Sequence, residues 1–366
     1  MFSSVRFASV VGLVTLLGAC ASSGGPATGV DPDNQGSVTP PTEWPVRTQH
    51  HVDLWLHGFA LISDDTTLVP FFRRGYKAEM NDLRRRANAN SQLDTNMGRL
   101  RERFAVRSDL VNAQFVAQYF GNLDEMSQAM DIFHRAEGNP RAAGDRETAE
   151  LIALLAGYFP LPADRDWARL YMQSIRDENT RFYRSYWDQQ QRERAPVVTA
   201  VTSEWQNMWK PRFQRFLNNT QQAGGEILLS LPLNGEGRTL TAGKTQNSVA
   251  VGFPARESDA REAIYVYVHE IVGQITATAV RDNVTPNDAR MGLADRYIAV
   301  GAVRAGAMLL QKVAPELLDG YARYYLRSAN RPIGANPVTS MTQTFALPNA
   351  IRDAISRQID VVLGGI

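Results

Sequence analysis

Cysteine is almost missing from this chain. Cys20 is the single one in 366 residues. It precedes the folded part, which therefore has neither a disulfide nor a thiol nucleophile. Lysine is nearly as scarce, at 77, 210, 244 and 312 only, and arginine supplies the rest of the 39 cationic residues. A GC-rich coding bias accounts for that ratio without a phosphate-binding role. Excess charge is absent too, because 39 cations face 38 anions. A neutral chain has no electrostatic reason to bind nucleic acid or an anionic surface. Past the N-terminal segment, no run approaches the ~18 uncharged apolar residues of a membrane span. No P-loop, dinucleotide fingerprint or Ser-His-Asp order stands out.

What is present begins at the first residue. Arg6 leads the apolar run Phe7–Leu17, and small residues then precede Cys20. This is a secretory signal layout. Leu17-Gly18-Ala19-Cys20 resembles the lipobox of bacterial lipoproteins. The resemblance implies a signal peptide over 1–19 and a diacylated Cys20 held in a lipid bilayer. Two acyl chains, at ~0.8 kcal/mol per buried methylene, make a stable anchor. Ala21 is not the aspartate that retains some lipoproteins in the inner membrane, so the resemblance points to the outer membrane, facing the periplasm or the surface. Residues 20–47, rich in Gly, Ser, Pro and Thr, read as a disordered tether.

The remainder, 48–366, reads as a mainly helical α+β domain. Helical spacing dominates 48–223, with Asp109, Asn122 and Asp164 as expected N-caps and a Trp205–Leu217 aromatic stripe as core. The texture changes at Gly224-Gly225. Glu226–Leu233 and Ser248–Phe253 read as strands, with Asn234-Gly235 as a tight turn, so a small antiparallel sheet is expected. Helices then return over about 259–281, 287–312, 315–328 and 348–363.

The most pointed stretch is Glu262–Ala279. Ile264, Val268, Ile271, Ile275 and Ala279 mark one buried helical face, and 262–281 reads as one long helix. His269 and Glu270 are adjacent ionisable groups inside that apolar run. Burying them costs several kcal/mol unless partners or a metal compensate.

A strand followed by a helix bearing His-Glu resembles the zincin metallopeptidases of gluzincin type, over 224–330. In those families His-Glu-x-x-His binds Zn²⁺ through two histidines, and the glutamate is the general base. The resemblance implies His269 as a metal ligand, Glu270 as the catalytic base and peptide hydrolysis as the activity. The pattern departs at 273, where glycine replaces the second histidine, and Asp295, Glu316 and Asp319 match no third-ligand motif. Two readings stay open. One is an envelope lipoprotein with a degenerate zincin-like domain, a metal-dependent peptide hydrolase if it is an enzyme. The other is a non-enzymatic lipoprotein that binds a peptide or envelope protein, with His269 and Glu270 in a buried polar network.

Three neighbouring readings bear on that choice. His50, His51 and His57 form a second group of imidazoles whose approach to His269 is open. The small-residue face Gly301, Ala302, Ala305, Gly306, Ala307 reads as a helix-packing seam, with Arg304 as a candidate partner for Glu270. Gly273 costs about 1 kcal/mol of helix propensity against alanine, which suggests that something there needs the open space or the close approach.

Overall fold

The computed structural model describes residues 43–64 and 67–364. The stretch read as a signal peptide, Cys20 and the stretch read as a tether up to residue 42 lie outside the described residues. The architecture is predominantly helical, with one small mixed sheet of four strands. Among the described residues no helix is long and apolar enough to cross a membrane.

The N-terminal half shows why this sequence folds as helices. Leu123–Arg135 starts at Asn122, whose side chain accepts from the Glu125 N–H at 2.9 Å, satisfying one of the orphan donors of the first turn. Its buried stripe is Met126, Ala129, Met130 and Phe133. Pro162–Glu178 opens with proline in its first turn, where the missing N–H costs nothing. Asp164 lies inside that helix rather than before it, and its buried carboxylate pairs with Arg103 and Arg107. Asp109 caps nothing, because Arg107 holds its carboxylate at 2.8 Å, and Ser108–Tyr119 winds as 3₁₀ turns. Helices His50–Ile62 and Pro162–Glu178 meet through rings: Trp55 meets Tyr171 edge-on at 4.8 Å, and Phe59 meets the same ring at 5.0 Å.

The expected antiparallel sheet is mixed. Its strands β1 (Val46–Arg47), β2 (Gly225–Ser230), β3 (Arg238–Thr241) and β4 (Asn247–Gly252) lie in the order β1-β2-β4-β3. β2 and β4 run parallel, with Ile227 opposite Val249, and only the edge strand β3 is antiparallel to β4. Asn234-Gly235 therefore does not close a hairpin. After β2 the chain leaves the sheet so that buried Leu233 can bridge to Phe72, and Tyr325 donates its hydroxyl to the Gly235 carbonyl at 3.0 Å. The chain then returns along the far side of β4, and the hairpin proper joins β3 to β4, where the Ala242 N–H bonds the Gln246 carbonyl at 3.0 Å.

β1 lies within the segment read as the end of the tether. It pairs in parallel with β2, and Trp44 just before it is fully buried, its indole donating to the Gln222 carbonyl at 3.0 Å. The fold thus takes in the last residues of that segment, and Trp205 fastens it by donating to the Trp44 carbonyl at 2.9 Å.

The long helix expected over 262–281 is two helices, Arg261–Ile271 and Gly273–Asn283, interrupted at Val272. Glycine at 273 is the weakest helix former at that point. No close approach explains it, since a Cβ there would meet nothing within 4 Å. The first of these helices packs on β4 and β3. The small-residue seam is real and lies on helix Ala294–Val313. A Cβ at Gly301 would stand 2.6 Å from the Thr276 methyl, and one at Gly306 2.2 Å from the Tyr321 hydroxyl. Arg304 does not reach Glu270; it donates to the Thr342 carbonyl at 3.1 Å.

Candidate functional site

Helix Arg261–Ile271 is buried along nearly its whole circumference, from Ala263 to His269. That surrounding makes each polar atom on it accountable, because an unpaired buried polar group costs about 1–3 kcal/mol. The Glu270 side chain is 10% exposed and turns toward the edge strand. Its Oε1 accepts from the Gly237 N–H at 2.9 Å and lies 2.9 Å from His269 Nδ1. Its Oε2 accepts the Thr239 hydroxyl at 2.7 Å. Gly237 permits this approach: a Cβ there would fall 2.8 Å from Glu270 Cγ and 2.5 Å from the Ala250 carbonyl.

Burial alone pushes the Glu270 carboxyl up. The hydrogen bonds from His269 and Thr239, with the Arg238 charge nearby, outweigh burial and hold the group below the ordinary glutamate range. Arg238 is itself buried, donating to the Gln114 side chain at 2.7 Å and covering the Phe71 ring at 4.0 Å. His269 is 4% exposed and stacks on Tyr325 with ring centroids 5.4 Å apart. Its Nε2 is buried and has no protein hydrogen-bond partner. The residues expected to carry chemistry are thus adjacent and engaged with each other. What they join is a helix, an edge strand and, through Tyr325, the helix Leu318–Ser328.

A zinc ion of the gluzincin kind does not fit this donor set. Position 273 offers no imidazole, His269 Nδ1 is taken by Glu270, and one Nε2 atom remains. Among the described residues no three His, Cys, Asp or Glu side chains converge as a ligand group.

The other histidines belong elsewhere. His51 Nε2 lies 2.8 Å from the Phe120 carbonyl and 3.1 Å from that of Ala117. His50 packs edge-on against Trp187 at 5.1 Å. His57 joins a buried network that the sequence reading missed. Glu178 is fully buried and forms a fork with Arg84, with Nε–Oε1 at 2.9 Å and Nη2–Oε2 at 3.0 Å. Ser91 donates its hydroxyl to the same carboxylate, and His57 Nε2 lies 3.4 Å from it. His57 Nδ1 is 3.0 Å from the Tyr76 hydroxyl, and its ring lies over Tyr183 at 4.3 Å. Burial pushes the His57 imidazole down. Burial would raise Glu178, but His57, Arg84 and Ser91 hold it low.

Directly after Glu178 the helix widens into a π turn, Asn179–Tyr183, a feature frequent at functional sites. Close by, Asp53 is pushed up to about 7 by burial, although the Trp187 indole at 2.9 Å and the Leu231 N–H at 3.2 Å donate to it. The sequence does carry a signal for this network. Tyr171, Ile175, Glu178 and Phe182 share one buried stripe, as do Tyr76, Met80 and Arg84, so an ion sits at an apolar position in each.

Comparison with protein-family models, with curated proteins and with solved structures finds no match to this chain. The functional reading therefore rests on the residues and their geometry.

Proposed function

We propose that this protein is a lipid-anchored envelope protein whose zincin-like domain uses His269 and Glu270 as a structural tie rather than a hydrolytic centre. The anchor is proposed on Leu17-Gly18-Ala19-Cys20. The zincin-like reading is supported by an edge strand that meets a following His-Glu helix, the order those peptidases use. The observation that carries the structural role is the engagement of Glu270. A carboxylate has about four lone-pair sites, and donors from Gly237, Thr239 and His269 occupy three of them inside a buried pocket. A general base needs an oxygen within reach of a reacting water, and this one is committed to the fold. The activity left to such a domain is binding, with a peptide or an envelope protein as the partner class.

Two measurements test the reading. Cys20→Ser should leave an unacylated precursor that no longer fractionates with membranes; a mutant still processed and held there by its N-terminus contradicts the anchor. The full-length protein supplied with zinc should leave unfolded casein intact, as should Glu270→Gln. Zinc-dependent cleavage by the wild type that disappears in Glu270→Gln would overturn the structural role.

A further inference from the structure

On the helical half, away from His269, helices Tyr76–Arg86 and Gln92–Val106 enclose a cleft of about 750 Å³. Its lining combines apolar Leu61 and Met97 with the cations Lys77, Arg84, Arg85 and Arg101. The one carboxylate in the lining, Asp94, is already committed: it accepts the Ser91 N–H at 3.0 Å in a capping box and pairs with Arg84. Arg84 in turn is 4% exposed and fixed by Glu178, so this part of the lining rests on the buried ion network. Arg85 pairs with Asp82 at the surface at 3.1 Å.

The instructive contact is at Asp64, which is not part of the lining and meets two of the lining cations at the edge of the cleft. Lys77 from one helix and Arg101 from the other converge on its carboxylate, Lys77 at 3.1 Å. The Asp64 side chain is 66% exposed. An ion pair in that setting contributes only about 0–1 kcal/mol, because water screens it and two long side chains must be held. The two cations are therefore arranged around a carboxylate position whose present occupant is weakly held. Asn81, Asn88 and Asn90 add amide donors and acceptors to the same cleft.

We infer that this cleft binds a small carboxylate-bearing molecule. Lys77 and Arg101 take its carboxylate where Asp64 now stands, and the asparagine amides take hydroxyl or amide groups beside it. Arginine suits the role, since its planar fork matches a carboxylate in two-point contact. A sugar acid and the C-terminus of a short peptide both present this chemistry.

Calorimetric titration of the full-length protein at fixed ionic strength tests the inference, with glucuronate, alanylalanine and inorganic phosphate as separate probes. Saturable binding of glucuronate or alanylalanine is expected, and which of the two binds identifies the source. Lys77→Ala combined with Arg101→Ala should weaken it at least tenfold. Asp64→Asn should tighten it severalfold by removing the internal competitor, a gain that a folding defect cannot produce. The inference is overturned if neither carboxylate saturates, if phosphate binds as well as they do, or if the titration is unchanged in these variants.

Discussion

Replacing Glu270 separates a structural carboxylate from a catalytic one through stability alone. In Glu270→Gln the amide oxygen can keep the Gly237 N–H and His269, and the Thr239 hydroxyl can rotate to accept from the new NH₂. Three contacts survive, but each loses its charge. Hydrogen bonds to charged groups contribute about 1.5–3 kcal/mol and neutral ones about 1, while neutralising the side chain relieves part of its burial penalty. The net loss should be about 2 kcal/mol. Glu270→Ala abandons all three contacts and strands the Gly237 donor, so about 4 kcal/mol is expected. Urea unfolding at pH 7 reads both values from the midpoints. The carboxyl is held low in the folded state, so its contribution is complete above the unfolded value of ~4.3 and is lost as pH falls through the lower native value. The gap between wild type and Glu270→Gln should accordingly close in acid. If both variants unfold within about 0.5 kcal/mol of wild type at pH 7, Glu270 is not a tie.

Further outcomes follow from the packing and from the second network. Gly306→Ala should destabilise by about 1–3 kcal/mol by driving a methyl into the Tyr321 hydroxyl, whereas Gly273→Ala, facing open space, should stabilise by about 0.5 kcal/mol; thermal midpoints moving in opposite directions check the pair. Asp53 is raised to about 7, so the folded state binds its proton more tightly than the unfolded chain. That contribution should fall as pH rises from about 4 to 7 and level off above, at no more than ~1.4 kcal/mol per pH unit; a urea series across this range should flatten in Asp53→Asn. Glu178→Ala leaves buried Arg84 facing Asp94 as its remaining carboxylate, and should cost about 3–5 kcal/mol in the same assay.

Much of this molecule was legible in the chain because its helices follow local rules. The Asn122 cap and the aromatic stripe through Trp205 and Phe213 are both recoverable from spacing. Strand order was not, because it is a long-range property. Asn234-Gly235 has the composition of a hairpin turn, yet Leu233 finds its burial against Phe72, and that contact carries the chain past β4 before β3 forms. The proximity of His269 to Glu270 was legible from their adjacency. Their partners were not, since Gly237 and Thr239 reach Glu270 across more than thirty positions. Arg304 was a reasonable expectation for a buried carboxylate, but its helix turns it toward Thr342. The Glu178 network was written as ions on apolar stripes, while its assembly from four separate segments becomes visible only in three dimensions.

On the proposed function, the His269–Glu270 pair holds a strand to a helix and offers no zinc peptidase centre. Zinc stoichiometry tests it most directly: full-length protein equilibrated with zinc, freed of excess by gel filtration, and assayed by atomic absorption alongside His269→Ala. No zinc should be retained through His269, so wild type and variant should carry the same amount. One zinc per chain in the wild type, lost in His269→Ala, would contradict it.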